Sequence, residues 1–126
     1  MVVFLIDSIV MPAPFAFYVY LVFFISMNIN IFGSTGIIGS KSLKIVKKYY
    51  PDIKINLLVA NNNHLKLISQ TIKYKPKFIS IKNEDNIEFI KYKILKLGTK
   101  ILKYDHINDY LKSTKSDYTI LSISGY

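Results

Sequence analysis

The feature that most constrains the fold is a glycine-rich turn between a strand pattern and a helical pattern. Apolar residues alternate over 28–32, and a helical periodicity follows at once. Between them stand glycines three residues apart, Gly33, Gly36 and Gly39. In a βα unit the first glycine permits the tight turn, the second lets the backbone approach a pyrophosphate, and the third lets the helix pack close to the strand. The sequence therefore predicts an α/β fold with a dinucleotide site at this turn.

The same loop offers hydrogen-bond donors for a phosphate group. The first backbone N–H groups of a helix have no carbonyl partner within the helix, and the helix dipole favours negative charge beside them. Ile37 and Ile38 of the loop offer further backbone N–H groups. Ser34 and Thr35 add hydroxyl groups at the same place. We expect these four residues and the three glycines to bind the cofactor. A glycine-rich turn without a ligand is the alternative that the loop leaves open.

Strand and helix patterns alternate along the rest of the chain. We expect strands over 29–32, 55–60, 78–81, 100–102 and 118–122, and helices over 40–49, 63–75, 83–97 and 105–112. With right-handed crossovers, this order gives a Rossmann-like, doubly wound parallel sheet. Ligands bind such sheets at the carboxyl ends of the strands, where the strand order reverses.

Periodicity and capping signals predict how the helices are placed. Asn63 is expected to cap the second helix, and Glu84 and Asp85 are expected in the first turn of the third helix, where the dipole favours acids. The residues expected to face the core are Leu43, Ile45 and Val46 in the first helix and Leu65, Ile68 and Ile72 in the second.

The end of the second strand distinguishes the two nicotinamide cofactors. A carboxylate there binds the ribose hydroxyls of NAD and repels a 2′-phosphate. Here the positions are Asn61, Asn62 and Asn63, with Lys66 one helical turn further on and no acid nearby. Neutral amides with a cation favour NADPH as the ligand. A polar turn that caps the next helix is the alternative, and Asn63 belongs to that turn in either case.

Composition excludes several other functions. The net charge is +9, but all 17 basic residues are Lys and they are scattered, so we expect no nucleic-acid surface of the kind that relies on Arg. With no cysteine in the chain, neither a disulfide framework nor a thiolate metal site is possible. His64 and His106 lack a second ligand at metal spacing. We therefore expect no catalytic and no metal-binding residues.

Residues 1–26 form a hydrophobic segment that does not continue the alternation. The run over 8–26 carries no charge, and its length approaches the roughly 20 apolar residues that a membrane span needs. Two interpretations stay open, a mis-assigned start ahead of Met27 and a real membrane anchor. The dinucleotide-binding domain itself is expected over residues 27–126.

Five segments resemble 1-deoxy-D-xylulose 5-phosphate reductoisomerase. The loop Gly-Ser-Thr-Gly-Ile-Ile-Gly is similar to that family's Gly-Ser-Thr-Gly-Ser-Ile-Gly signature. The similar segments are 33–39, 42–46, 57–63, 74–78 and 120–125. Ile37 stands where the family commonly has serine, and Asn61 and Asn62 stand in place of Gly and Lys or Arg. The second difference weakens the expected hold on a cofactor phosphate.

The resemblance implies the N-terminal NADPH-binding domain of an oxidoreductase of isoprenoid-precursor synthesis. Family members rearrange and reduce 1-deoxy-D-xylulose 5-phosphate to 2-C-methyl-D-erythritol 4-phosphate with Mg or Mn, and they are homodimers. The family's Asn-Lys-Glu segment and acidic metal ligands are not among these 126 residues, so the chain is expected to be inactive alone. The resemblance implies a bacterial-type cytoplasmic protein, with a plastid or membrane-attached location as the alternatives.

Two other functions stay open at this point. One is a non-catalytic or vestigial nucleotide-binding protein attached to a membrane. The other is a different reductase with a similar glycine loop, such as a semialdehyde dehydrogenase or an extended short-chain reductase.

Overall fold

The computed structural model describes residues 5–6, 9–10 and 27–122. Its strands are β1 Leu5–Ile6, β2 Ile9–Val10, β3 Asn28–Phe32, β4 Lys54–Ala60, β5 Phe78–Ile81, β6 Lys100–Ile101 and β7 Tyr118–Leu121. Its helices are α1 Ile37–Tyr49, α2 His64–Tyr74, α3 Ile87–Ile94 and α4 Ile107–Ser113, and a 3₁₀ turn, Tyr104–His106, leads into α4.

Five strands form one parallel sheet in the order β6-β5-β4-β3-β7. The chain moves outward from β3 to β6 and then returns to place β7 on the other side of β3. The strand order therefore reverses between β3 and β7, which is where such sheets bind ligands. This arrangement confirms the predicted doubly wound, Rossmann-like sheet. The short strands β1 and β2 form a separate antiparallel pair.

Two apolar layers cover the two faces of the sheet. Leu43 of α1, Leu67 of α2 and Ile90 of α3 pack on one face, whereas Ile107 of α4 packs on the other. Consecutive residues of β4 pack in opposite layers because side chains alternate across a strand. A strand with both faces covered needs apolar residues throughout, which explains the nearly continuous apolar run in β4.

The predicted inward faces of the first two helices are partly wrong. Ile45, Leu65 and Ile72 are 52%, 62% and 51% exposed. The buried face of α2 includes polar residues, which apolar periodicity does not detect. One of them, Thr71, donates its hydroxyl hydrogen to the Leu67 carbonyl at 2.8 Å. A buried threonine satisfied in this way fills an inward position at little cost.

The third helix begins at Ile87 and not at Asn83 as predicted. The side chain of Asn83 accepts a hydrogen bond from the Asp85 N–H at 3.0 Å. Such a local bond competes with helix formation and stabilises a turn. Glu84 and Asp85 therefore precede the helix, and Glu88 is the acidic residue in its first turn.

Most of the hydrophobic N-terminal segment lies outside the described residues. In the parts of the chain that the structure describes, no helix has both the length and the apolar character needed to cross a bilayer. Residues 123–126, which include the end of the last of the five resembling segments, also lie outside.

Candidate functional site

The glycine loop is fastened to the neighbouring strand by backbone hydrogen bonds. The N–H groups of Gly33 and Ser34 both donate to the Val59 carbonyl, at 2.8 and 3.1 Å. The Gly36 N–H donates to the Gly33 carbonyl at 3.0 Å, which closes the turn. Gly33 has a φ of +74°, a conformation that residues with a Cβ rarely adopt. The first glycine is therefore required by the turn itself.

Two of the three glycines are also required by packing. A Cβ at Gly33 would collide with the Ser122 carbonyl at the end of β7. A Cβ at Gly39 would collide with the Gly33 carbonyl and lie 2.8 Å from the Ser122 hydroxyl oxygen. The absence of these two side chains lets α1, the loop and β7 meet closely.

Gly36 differs from the other two because neither its backbone conformation nor a severe collision requires a glycine there. Its φ of −73° and ψ of 174° are open to any residue. A Cβ at Gly36 would have one neighbour within 4 Å, the Gly33 carbonyl oxygen at 3.3 Å. Gly36 lines a cavity, so a side chain at this position would lie at the cavity wall. The missing Cβ leaves room for a ligand beside the backbone.

The start of α1 has no side-chain cap and no acidic residue in its first turn. Within the described residues, no backbone carbonyl accepts a hydrogen bond from the N–H of Thr35, Ile37 or Ile38. Helix α2 is different, because the Asn63 side chain caps it by accepting from the Lys66 N–H at 3.0 Å. The predicted cap at Asn63 is thus confirmed, and the start of α1 retains free donors that suit an anion.

One cavity of about 570 Å³ lies over the carboxyl ends of the sheet strands. It brings together parts of the glycine loop and the asparagine run, which are far apart in sequence. The residues that line it are Phe32, Gly33, Thr35, Gly36, Val59, Asn61, Asn62, Asn63, Lys82, Tyr104 and Ser122. No carboxylate is among these lining residues, and Lys82 supplies the one charge.

Four of the predicted cofactor residues do not line this cavity. Ile37 and Ile38 are 76% and 68% exposed at the start of α1, beside the loop. Gly39 is buried behind the loop. Ser34 is fully buried, so the expectation that its hydroxyl faces a ligand is corrected.

Ser34 instead supports the loop from inside the protein. Its carbonyl accepts a hydrogen bond from the Gln70 side chain of α2 at 2.7 Å and another from the Ser40 hydroxyl at 3.1 Å. The Gln70 side chain is buried. A buried hydrogen bond from a neighbouring helix restricts the position of the loop.

Five lining residues were not named as candidates from the sequence, namely Phe32, Val59, Lys82, Tyr104 and Ser122. Lys82 directly follows β5, and its position just after a parallel strand is the sequence signal that could have identified it. Ser122 holds the same place after β7, and its hydroxyl donates to the Phe32 carbonyl at 2.6 Å. Tyr104 lies in the turn before α4, and no local pattern indicates that this turn reaches the cavity.

A second hollow, of about 590 Å³, lies at the opposite ends of the strands. Its walls include Asn28, Lys54 and Lys77. None of the glycine-loop residues reaches it, and ligands of doubly wound sheets bind at the carboxyl ends. Among the described residues, no group of three or more His, Asp or Glu side chains could hold a metal ion.

Comparison with known proteins identifies relatives of one kind. Residues 29–126 match the family model for 1-deoxy-D-xylulose 5-phosphate reductoisomerase. A protein of that name from Pelagibacter ubique is 36% identical over 109 residues, which cover 79% of this chain and 26% of that protein. Another from Nautilia profundicola is 34% identical over 95 residues, covering 75% of this chain and 24% of that protein. The chain thus spans about a quarter of the length of these relatives.

Solved structures agree with the sequence relatives. A crystal structure of DOX-P reductoisomerase in complex with NADPH, fosmidomycin and magnesium aligns with a TM-score of 0.67 and 25% identity, covering 77% of this chain and 24% of that one. The Zymomonas mobilis reductoisomerase in complex with NADPH aligns with a TM-score of 0.65 over 74% of this chain and 25% of that one, and at 17% identity it supports the fold alone. The chain therefore belongs to the 1-deoxy-D-xylulose 5-phosphate reductoisomerase family, and its Rossmann-like sheet is that of the family's N-terminal domain.

Proposed function

We propose that this domain binds NADPH for an oxidoreductase of isoprenoid-precursor synthesis, a 1-deoxy-D-xylulose 5-phosphate reductoisomerase. The observation that carries the proposal is Gly36, which lines the cavity in a backbone conformation open to any residue and where a Cβ would meet the Gly33 carbonyl oxygen alone, at 3.3 Å. A glycine that lines a cavity in a conformation open to any residue indicates close approach of a ligand to the backbone. A relative solved with NADPH supports the choice of that ligand.

Different groups of the site are proposed to bind different parts of the cofactor. The free N–H groups of Thr35, Ile37 and Ile38 and the positive end of α1 suit the pyrophosphate. Asn61, Asn62 and Asn63 line the part of the cavity beyond the end of β4, which is the usual place of the adenosine ribose. None of the described residues that line the cavity is acidic, so none of them repels a 2′-phosphate. The bound cofactor supplies a hydride.

We propose that the substrate and the metal bind to parts of the family's architecture other than this domain. One solved relative contains magnesium together with NADPH and fosmidomycin, and a metal in such a site polarises substrate oxygens from a cage of carboxylates. We therefore propose that the described domain contributes cofactor binding and positioning, while the substrate site belongs to the remainder of the family's architecture.

The family match favours the reductoisomerase over the semialdehyde dehydrogenase and the extended short-chain reductase as the identity of the parent enzyme. We propose a cytoplasmic location, which suits a chain without cysteine. Membrane attachment through residues 1–26 is a separate proposal, which is tested by whether the chain needs detergent to stay in solution. Dimer formation is another, which is tested by measuring the molecular mass in solution.

Substitution of Gly36 by valine tests the proposed function. The branched side chain would occupy the space beside the backbone where the pyrophosphate must lie, so calorimetric titration with NADPH should show binding lost. Circular dichroism should stay native-like because the one contact of a Cβ at that position, with the Gly33 carbonyl oxygen at 3.3 Å, is relieved by a small shift. A matched control is Gly98→Val, since Gly98 has no neighbour within 4 Å and does not line the cavity, although its positive φ will cost some stability. Equal NADPH affinity in Gly36→Val and the parent chain would refute the site.

A further inference from the structure

Lys82 lies directly beside the asparagine run at the open end of the sheet. Ala60 and Ile81 pair as the last residues of the β4–β5 register. The backbone pairing continues beyond the strands, because the Lys82 N–H donates to the Ala60 carbonyl at 3.0 Å and the Asn83 N–H donates to the Asn61 carbonyl at 2.9 Å. These bonds hold the Lys82 and Asn61 backbones next to each other. The Lys82 position is therefore well defined although its side chain is exposed.

The Lys82 ammonium is available for a ligand. Among the described residues that line the cavity, Lys82 is the one that carries a charge. Within the described part of the chain, no hydrogen bond or ion pair engages its side chain, and the described salt bridge joins Lys91 to Glu88 elsewhere. An unpaired ammonium at a cavity whose described lining residues include no carboxylate favours the binding of an anionic group there.

The asparagine run cannot supply that charge itself. Asn61, Asn62 and Asn63 offer neutral amides, and the Asn63 oxygen is already engaged as the cap of α2. Lys66, which follows one turn later, does not line the cavity. Neighbouring strands lie about 4.8 Å apart, a separation that the four-carbon stem of a lysine spans. Lys82 can thus reach a group held over the end of β4.

We infer that Lys82 binds the 2′-phosphate of NADPH and sets the preference for NADPH over NADH. The inference rests on the proposed function and adds a specificity residue from the neighbouring strand. The ammonium acts as a point charge on the phosphate, whereas NADH carries an uncharged hydroxyl at that position, which offers the ammonium no ionic contact.

The test compares Lys82→Gln with Lys66→Gln in the full chain, by calorimetric titration with NADPH and with NADH. Lys82→Gln should weaken NADPH binding about tenfold or more, as expected for a lost hydrogen bond to a charged group, and should leave the NADH affinity within about twofold, since the pyrophosphate site is untouched. The parent and Lys66→Gln should retain the preference for NADPH. The salt dependence of NADPH binding should also flatten in Lys82→Gln because one ionic contact is removed.

Several results would overturn the inference and leave dinucleotide binding standing. These are equal parent affinities for NADPH and NADH, an equal loss of both in Lys82→Gln, or a loss of preference in Lys66→Gln with Lys82→Gln unchanged. If the folded parent bound neither dinucleotide, the proposed function and the inference would both be wrong. Circular dichroism of each variant excludes misfolding as the cause, since Lys82 is exposed and its side chain supports no packing.

Discussion

Alanine substitutions at Gly39 and Gly36 should separate fold stability from cofactor binding. At Gly39 the new methyl group would overlap the Gly33 carbonyl and approach the Ser122 hydroxyl. The first neighbour is backbone, so α1 must move away from the loop. At Gly36 the methyl group would meet the Gly33 carbonyl oxygen at 3.3 Å, which a small shift relieves.

The expected magnitudes follow from these two environments. Overpacking typically costs about 1–3 kcal/mol, and alanine in a helix interior recovers about 0.5–1 kcal/mol relative to glycine. We therefore expect Gly39→Ala to lose about 1–2 kcal/mol of unfolding free energy, which lowers Tm by about 4–16 °C in a domain of this size. Gly36→Ala gains about 0.4–1 kcal/mol from the reduced entropy of the unfolded chain, and the close contact offsets part of that gain.

Thermal unfolding followed by circular dichroism, with and without NADPH, measures both effects. Gly36→Ala should unfold near the parent temperature and show little of the Tm increase that NADPH gives the parent, since a ligand stabilises in proportion to its binding. Gly39→Ala should unfold earlier. A Gly36→Ala variant destabilised as much as Gly39→Ala, with an undiminished NADPH effect, would show that the fold and not the ligand requires Gly36.

Three further results are expected. Leu43→Ala should cost about 2–5 kcal/mol of unfolding free energy because Leu43 is fully buried, whereas Ile45→Ala should cost no more than about 0.5 kcal/mol, and equal costs in urea unfolding would contradict the assigned faces of α1. A chain that starts at Met27 should fold and bind NADPH like the full chain. If this short chain aggregates while the full chain is folded in detergent, the N-terminal segment is part of the fold. The purified 126-residue chain should not oxidise NADPH with 1-deoxy-D-xylulose 5-phosphate and magnesium or manganese, and turnover above the no-enzyme rate would place an active site within it.

Local chemistry made the first βα unit predictable from the sequence. A φ of +74° at Gly33 and the collision that a Cβ at Gly39 would cause are properties of a tight strand–helix turn, so the glycine spacing specifies both. The asparagine cap of α2 is equally local. Elements of this kind depend on residues within a few positions of one another.

The parts that sequence reasoning missed depend on contacts between distant residues. Lys82 and Ser122 reach the cavity because the sheet order places β5 and β7 beside the strands that flank the glycine loop. Ser34 is buried because Gln70 comes from another helix to bond its carbonyl. The outward position of Ile72 follows from the satisfied polar residue Thr71 on the buried face, which hydrophobic periodicity treats as surface.

NMR spectra of the backbone amides during NADPH titration test the location of the cofactor site most directly. Shifts should be largest for Thr35, Gly36 and Asn61–Asn63, around the cavity at the carboxyl ends of the strands. Amides near Lys54 and Lys77, at the opposite hollow, should move little. Shifts concentrated at that opposite hollow, or none at millimolar NADPH, would contradict the assignment of this domain as the NADPH site.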